Sequence, residues 1–241
     1  MPITAETLVA LSNIDTPTIC NAIELFHVRP SNQGYTDARI KSHFPDLPPM
    51  VGFAVTSSFR SASPPEGADV YGGIDKQVEI FATLAGPAVV VFQDLDDPPA
   101  AATFGDSMCS MYQAFGATGL ISSGVGRDLE QIRPMRFPVF STGAICAHGY
   151  CHTLYIGSPV RVGGLVVRQG DLLHGDGNGV TNIPLEIATE VPQAANEFLA
   201  AERRLITFLQ SPQKKTIAQC AEGRKEFKQA IDKIVARVRR K

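Results

Sequence analysis

The stretch Ala88-Val-Val-Val-Phe92 constrains the fold more than any other. Five apolar residues, β-branched in the middle and without polar alternation, suit a strand buried on both faces. Downstream, the small and apolar residues from Met108 to Phe115 predict a helix, ended by Gly116-Ala-Thr-Gly119. Leu120-Ile-Ser-Ser123 then predicts a second short strand. Strand, helix and strand in succession make the expected class mixed α/β, with a central helix covering a sheet. At 241 residues the chain is long enough to bury a core without disulfides or structural metals, as one large domain or a domain with an appendage.

The flanking segments fit that class. Residues 5–13 and 16–27 read as two helices, with Thr16 expected to cap the second and Pro17 at its first position. A loop is expected over residues 28–49, a strand over Val51–Phe59, a Pro- and Ser-rich loop over Ser61–Asp69 and a short helix over Gln77–Leu84. Phe137–Phe140, Pro159–Val162, Leu165–Val167 and Asp171–Leu173 read as short strands, and Asp176-Gly-Asn178-Gly179 as a tight turn. From Leu185 onward the pattern is helical, interrupted at Pro212.

Charge is uneven. Residues 1–200 carry 10 Lys and Arg against 20 Asp and Glu; residues 201–241 carry 12 against four, so a net −10 precedes a net +8. The basic residues alternate with Glu226 and Asp232 and with a helical apolar stripe, which is the pattern of a solvated helix packing on an acidic neighbour. Nucleic acid is not an expected partner, because no aromatic or groove-reading feature accompanies the basic residues. No run of 18 apolar residues exists, and the N-terminal segment has neither a basic nor a sustained apolar region, so no membrane association is expected and a cytoplasmic location is. The five cysteines are scattered, as in a reduced protein. Cys146 and Cys151, with four residues between them and beside His148 and His152, lack a second cysteine pair and are read as loop residues.

One motif carries chemistry. Gly105-Asp106 and Arg127-Asp128 are separated by 20 residues, Ser107 to Gly126. A helix beginning after Gly105 offers backbone N–H groups and a positive dipole end, which suit a carboxylate. Arg127 adds a two-donor fork, and Asp128 adds a hard oxygen ligand beside it. The set suits a 2-keto acid chelated to a divalent metal that acts as a Lewis acid. A bare Arg-Asp at a turn is also a common salt bridge or cap, and Asp128 could cap a short helix over Leu129–Ile132. His174 and Asp176 are read as a hairpin turn with an exposed imidazole rather than a polar rim to a site, and Glu24 as a solvated carboxylate.

The order and spacing of Gly105-Asp106, Gly124-Val-Gly126-Arg127-Asp128, Pro138-Val139-Phe140, Gly163-Gly164, Gly170-Asp171-Leu172 and Asp176-Gly-Asn-Gly-Val180 resemble the 4-hydroxy-4-methyl-2-oxoglutarate aldolases and the proteins similar to the regulator of ribonuclease activity A, the RraA-like family. The resemblance runs from about residue 10 to about residue 190 and implies a compact β/β/α swivelling-type domain over 1–190, with a helical C-terminal extension over 191–241. It further implies a homotrimer or homohexamer with sites at subunit interfaces. The implied activity is Mg²⁺- or Mn²⁺-dependent retro-aldol release of pyruvate from 4-hydroxy-2-oxo acids, with decarboxylation of oxaloacetate. Carried over, Arg127 and Asp128 are the catalytic residues and Asp128 the metal ligand. Gly105, Asp106, Ser107, Met108 and Arg127 bind substrate, the amides of Asp106, Ser107 and Met108 holding its carboxylate. The base for the substrate hydroxyl is then a water on the metal. Two positions depart from the family pattern: Ser123 and Asn21 stand where it has Asp. The other branch of the resemblance is a non-catalytic regulatory binding protein, against which the Asp after Arg127 speaks. A methyltransferase finds no support, since no Gly-x-Gly-x-x-Gly loop follows an expected strand.

Overall fold

The computed structural model describes residues 2–66 and 72–239. In chain order its elements are α1 (Ala5–Ser12), α2 (Thr16–Phe26), β1 (Lys41–Ser42), β2 (Met50–Arg60), α3 (Ile74–Phe81), β3 (Ala88–Asp94), β4 (Ala102–Phe104), α4 (Asp106–Ala114), β5 (Ala117–Ser122), β6 (Val125–Gly126) and α5 (Leu129–Ile132). They continue with β7 (Val139–Ser141), β8 (His152–Leu154), β9 (Val160–Val162), β10 (Leu165–Val167), β11 (Leu172–Asp176), β12 (Gly179–Ile183), α6 (Val191–Gln210) and α7 (Ile217–Val238). The main sheet runs β1-β7-β5-β3-β2-β11-β12, with β2, β3, β5 and β7 parallel and the outer strands antiparallel. β2 is long enough to pair β11 through Phe53 and still offer Ser58–Arg60 to β8.

The expected two-faced burial of β3 is what makes three layers. Val90 and Phe92 face one way, into a core shared with Phe104, Met108 and Tyr112; Val89 and Val91 face the other, against Val160, Val162, Leu165 and Val167 of the β9–β10 hairpin. β5 divides in the same way between Leu120 and Ile121, and β11 between Leu172 and Leu173. Helices thus cover one face and a hairpin the other, which is the β/β/α arrangement. Full burial of each such side chain contributes about 1.5–3 kcal/mol. A further cluster joins α1 and α2 to Val191, Ala194 and Ala195 of α6 and to Ile234 and Val238 of α7, so the near half of the C-terminal helical pair is built into the core. Among the described residues no helix is long and apolar enough to cross a membrane.

Several local expectations shift. Asp15, not Thr16, caps α2: its carboxylate accepts from the Thr18 amide at 2.9 Å and the Thr18 hydroxyl at 2.8 Å, which places Thr16 inside the helix. α3 starts at Ile74, three residues before the expected position, and α4 starts at Asp106. Gly116 alone, with φ of 90°, turns the chain out of α4, and Ala117 through Gly119 already belong to β5. The loop expected over 28–49 carries the two-residue β1, and of the loop expected over Ser61–Asp69 residues 67–69 lie outside the described residues. β4, β6, β8 and β12 are too short or too mixed to stand out in the sequence.

The largest correction concerns His174. It is 0% exposed and lies within β11, not in an exposed turn. Its Nε2–H donates to the Leu11 carbonyl at 3.1 Å, and its Nδ1 accepts from the Thr16 hydroxyl at 2.9 Å. Asp176 accepts from the Thr16 amide at 2.8 Å. The pair therefore clasps the α1–α2 junction onto the sheet, and the two-residue turn Gly177-Asn178 follows Asp176 as expected. Glu24 is exposed on α2, as expected.

Candidate active site

Two short parallel strands bring the halves of the motif together. β4 and β6 pair Ala102 with Val125 and Phe104 with Gly126, and the Arg127 amide donates to the Phe104 carbonyl at 3.0 Å. The chain leaves this pair at Gly105 on one side and at Arg127 on the other, at the same end. α4 begins at once, with Gly105 at its N-cap, so the amides of its first turn lie outside the helical ladder and at the positive end of its dipole. α4 is held from behind. The Tyr112 hydroxyl donates to Gln77 Oε1 at 2.6 Å, and Gln77 Nε2 donates to Ser57 Oγ at 2.6 Å, a buried chain running from α4 through α3 to β2. Burial pushes the Tyr112 and Cys109 ionisations well up, so both stay neutral beneath the site.

The expected donor set is smaller than the motif implies. Asp106 Oδ1 accepts from the Ser107 amide at 2.7 Å, so that amide is engaged within the chain, while those of Asp106 and Met108 stay at the helix mouth. Met108 points its side chain into the core. Asp128 is not a side-chain cap for α5. It sits at the N-cap position in the left-handed region (φ 56°, ψ 32°) with no capping bond, and its Oδ2 faces Arg127 Nε at 3.2 Å. The two side chains are 33% and 32% exposed, a setting in which an ion pair is worth only about 0–1 kcal/mol. Stability alone does not account for the geometry, whose backbone costs on the order of 1 kcal/mol at Asp128.

Gly105 lies under this pair. A Cβ built there would stand 2.6 Å from Asp128 Oδ2 and 3.2 Å from Arg127 Nε. The space in front opens into a cleft of about 330 Å³, lined by Thr103 through Met108 and Arg127, with Ile74, Met111, His148 and Cys151 completing the wall. It is mostly apolar with a few convergent polar groups, the composition of a small-molecule site. His148, Cys151, Ile74 and Thr103 were not foreseen as part of it. They come from α3, β4 and the loop before β8, and the only hint was the cluster of Cys and His between residues 146 and 152. Among the described residues, no three His, Cys, Asp or Glu side chains group as metal ligands, and Cys146 and Cys151 form no disulfide.

Ser123, the first departure, fastens strands: its Oγ accepts from the Asp94 amide at 2.9 Å. Asp94 ends β3, and its Oδ2 is buried without a hydrogen-bond partner among the described residues, close to where a Cβ on Gly124 would stand. Burial, with the charge of Asp96 adding to it, raises its pKa to about 6. Asn21, the second departure, lies on α2, which packs on β11, β12, α6 and α7.

A sequence profile described as RraA-like, Aldolase/RraA, matches residues 16–181, more than half of the chain. The chain belongs to the RraA-like family. This RraA-like chain is 32% identical over 114 residues to a protein of Halalkalibacterium halodurans provisionally named a 4-hydroxy-4-methyl-2-oxoglutarate aldolase, an alignment that covers 47% of this chain and 54% of that one. The chain thus spans about half the length of the curated relatives it matches. Its fold is shared with an uncharacterized protein of Pseudomonas syringae (TM-score 0.72, 22% identity, 93% of this chain and 95% of that one). It is shared also with RraAS2 of Streptomyces coelicolor, an unusual member of the RNase ES inhibitor RraA family (TM-score 0.67, 20% identity, 83% and 95%).

Proposed function

We propose that this RraA-like chain is a divalent-metal-dependent lyase for a small 2-keto acid, cleaving a 4-hydroxy-2-oxo acid to pyruvate, decarboxylating oxaloacetate, or both. The observation that carries this reading is the convergence of the α4 N-terminus with Arg127 in the wall of one cleft, with Asp128 packed beside Arg127 over Gly105. The residues suit a hard cation. Asp128 does not itself line the cleft but offers a carboxylate beside Gly105 and Arg127, which do, and Mg²⁺ is commonly held by one or two protein carboxylates, with water and substrate as its other ligands. When bound, Mg²⁺ or Mn²⁺ supplies Lewis-acid polarisation of the keto oxygen.

The rest of the work falls to the chain. Amides at the start of α4 orient the substrate carboxylate, and Arg127 donates to the keto or carboxylate oxygen, where charge builds as the carbon–carbon bond breaks. Phe104, Met108 and Ile74 form apolar walls that strengthen both contacts by excluding water. A homotrimer or homohexamer belongs to the same reading. A regulatory binding role has one observation in its favour, the basic α6–α7 hairpin with Ile217 89% exposed near its tip.

The test is pyruvate release from oxaloacetate and from 4-hydroxy-4-methyl-2-oxoglutarate with Mg²⁺ or Mn²⁺, repeated with EDTA. The lyase reading expects release that EDTA removes. No release from either acid overturns it and leaves the binding role.

A further inference from the structure

We propose that the cleft between the loop after α2 and the β9–β10 hairpin is a second ligand site, which takes a small polyanion with one carboxylate or phosphate group on Arg29 and another on Arg161. The cleft has a volume of about 570 Å³ and shares no residue with the one at Gly105, and its role does not depend on the lyase reading. That volume is within the usual range for a small-molecule site. The cleft is also built in advance. The Asp37 amide donates to the Gly163 carbonyl at 2.7 Å, and the Thr36 amide to the Val180 carbonyl at 2.9 Å, so the loop is fastened to the hairpin and to β12.

Arg29 is the anchor. Its Nη1 donates to the Asn182 backbone carbonyl at 3.1 Å and to the Asn182 side-chain oxygen, and its Nη2 donates to Thr181 Oγ1 at 3.2 Å. These bonds fix the plane of the guanidinium and leave Nε–H and one N–H of Nη2 for two oxygens of a ligand. Gly34 makes room for it: with φ of 92°, this residue has its backbone against the guanidinium, and a Cβ there would fall on it. Arg29 is half-buried, and burial lowers its pKa. Among the described residues, no carboxylate lies within ion-pair distance of Arg29 or of Arg161. A cation that has given up part of its hydration without a counter-charge gains most from an anion that enters. The acidic residue in the wall, Asp37, is already neutralised. Arg39 Nε and Nη2 donate to its two oxygens at 3.0 and 2.7 Å and hold its pKa below the usual carboxylate range. Gln33 and Tyr35 line the same cleft and supply further polar contacts.

The experiment is a calorimetric titration of citrate and of pyrophosphate into the full chain, in EDTA and at about 0.15 M ionic strength so that loose surface attraction is screened. Wild type is compared with Arg29→Gln, Arg161→Gln and Arg127→Ala, and the oligomeric mass of each is measured by light scattering. Arg161 is exposed and its side chain holds nothing in place, since β9 is fastened there by the Arg161 amide donating to Gln93 Oε1 at 2.8 Å. Arg161→Gln therefore carries the test even if Arg29→Gln fails to fold. We expect wild type to bind at least one probe with a Kd of about 1 mM or tighter. Arg29→Gln and Arg161→Gln should each weaken binding at least about tenfold, and Arg127→Ala should bind as wild type does. Which probe binds tells a carboxylate ligand from a phosphate one. Binding of neither probe by wild type overturns the proposal, as does binding that Arg161→Gln leaves unchanged. Loss in Arg127→Ala overturns it too, because the anion then sits in the cleft at Gly105. A fall in oligomeric mass in the Arg29 and Arg161 variants, with no probe bound by wild type, would instead give these arginines to a second copy of the chain.

Discussion

Gly105 and Asp128 compete for one volume: a Cβ on residue 105 would stand 2.6 Å from Asp128 Oδ2. The requirement is steric rather than conformational, since Gly105 has φ of −146°, a region open to any residue. Gly105→Ala therefore tests the site without testing the fold. The short carboxylate can swing away, so the melting temperature should stay within about 3 °C of wild type. The displaced Arg127–Asp128 pair should lower kcat/KM at least tenfold, about 1.4 kcal/mol of transition-state stabilisation. Unchanged kinetics in a folded variant would show that the pair's position is immaterial.

Arg127 and Asp128 can be removed separately. Asp128→Asn keeps a residue tolerant of the left-handed backbone and loses the charge, and Arg127→Ala loses the donor fork. Each should cut metal-dependent turnover by at least about 10²-fold, the usual scale for a transition-state charge contact, with circular dichroism unchanged. Asp128→Ala should in addition lose about 1 kcal/mol of stability, because alanine pays more for φ of 56°. Activity retained in both Asp128→Asn and Arg127→Ala would sink the site assignment.

How far the sequence foretold this depends on the range of the interaction. The apolar run at Ala88–Phe92 announces its two-sided burial because every residue in it is read locally. The motif spacing was informative for a similar reason: the chain between Asp106 and Arg127 is one helix, one strand and the two residues of β6. The pairing of β4 with β6, which aligns the two ends, involves three residues against two and leaves no periodic trace. His174 was misread because its neighbours Gly175, Asp176 and Gly177 are turn formers, whereas its partners Leu11 and Thr16 lie about 160 residues away. Asp15 and Thr16 are both good caps, and only the geometry of the Thr18 amide chooses between them. His148 joins the cleft because its neighbours Ala147 and Tyr150 are bonded through the backbone to Ala102 and Ser61, which no spacing rule reports.

The His174 clasp predicts acid sensitivity. Burial holds its pKa below the ordinary 6.5, against the smaller opposing pull of the Leu11 hydrogen bond and of Asp176. The unfolded chain takes up a proton near pH 6.5 and the native state resists it. The stability that neutral His174 contributes is therefore complete above that pH and is lost as pH falls through it toward the lower native value. Urea unfolding at pH 7.5 and 5.5 should show wild type losing more stability on acidification than His174→Gln. That variant should be weaker at pH 7.5 by about 1–3 kcal/mol, because the Leu11 carbonyl and the Thr16 hydroxyl lose their partner. Parallel loss in both proteins would contradict this.

Asp94 predicts the opposite trend. Its native pKa of about 6 lies above the ordinary 3.8, so the native state holds a proton that the unfolded chain releases, and that contribution disappears as pH rises through about 6. Asp94→Asn should therefore be more stable than wild type at pH 8, by on the order of 1 kcal/mol given the partial exposure of the carboxyl. It should lose that advantage by pH 4. Thermal melts at the two values check the sign, and an advantage of equal size at both would show that burial of the charge is not its source.

The most direct measurement is a calorimetric titration of pyruvate into the wild-type protein with and without Mg²⁺, repeated with Asp128→Asn and Arg127→Ala. If the helix start, Arg127 and Asp128 form one keto-acid site, wild type binds pyruvate only when Mg²⁺ is present. Asp128→Asn then loses the Mg²⁺ dependence together with the binding, and Arg127→Ala binds at least about tenfold more weakly, the loss of one charge-assisted contact. Pyruvate binding that ignores Mg²⁺, or that survives unchanged in both variants, would contradict the account.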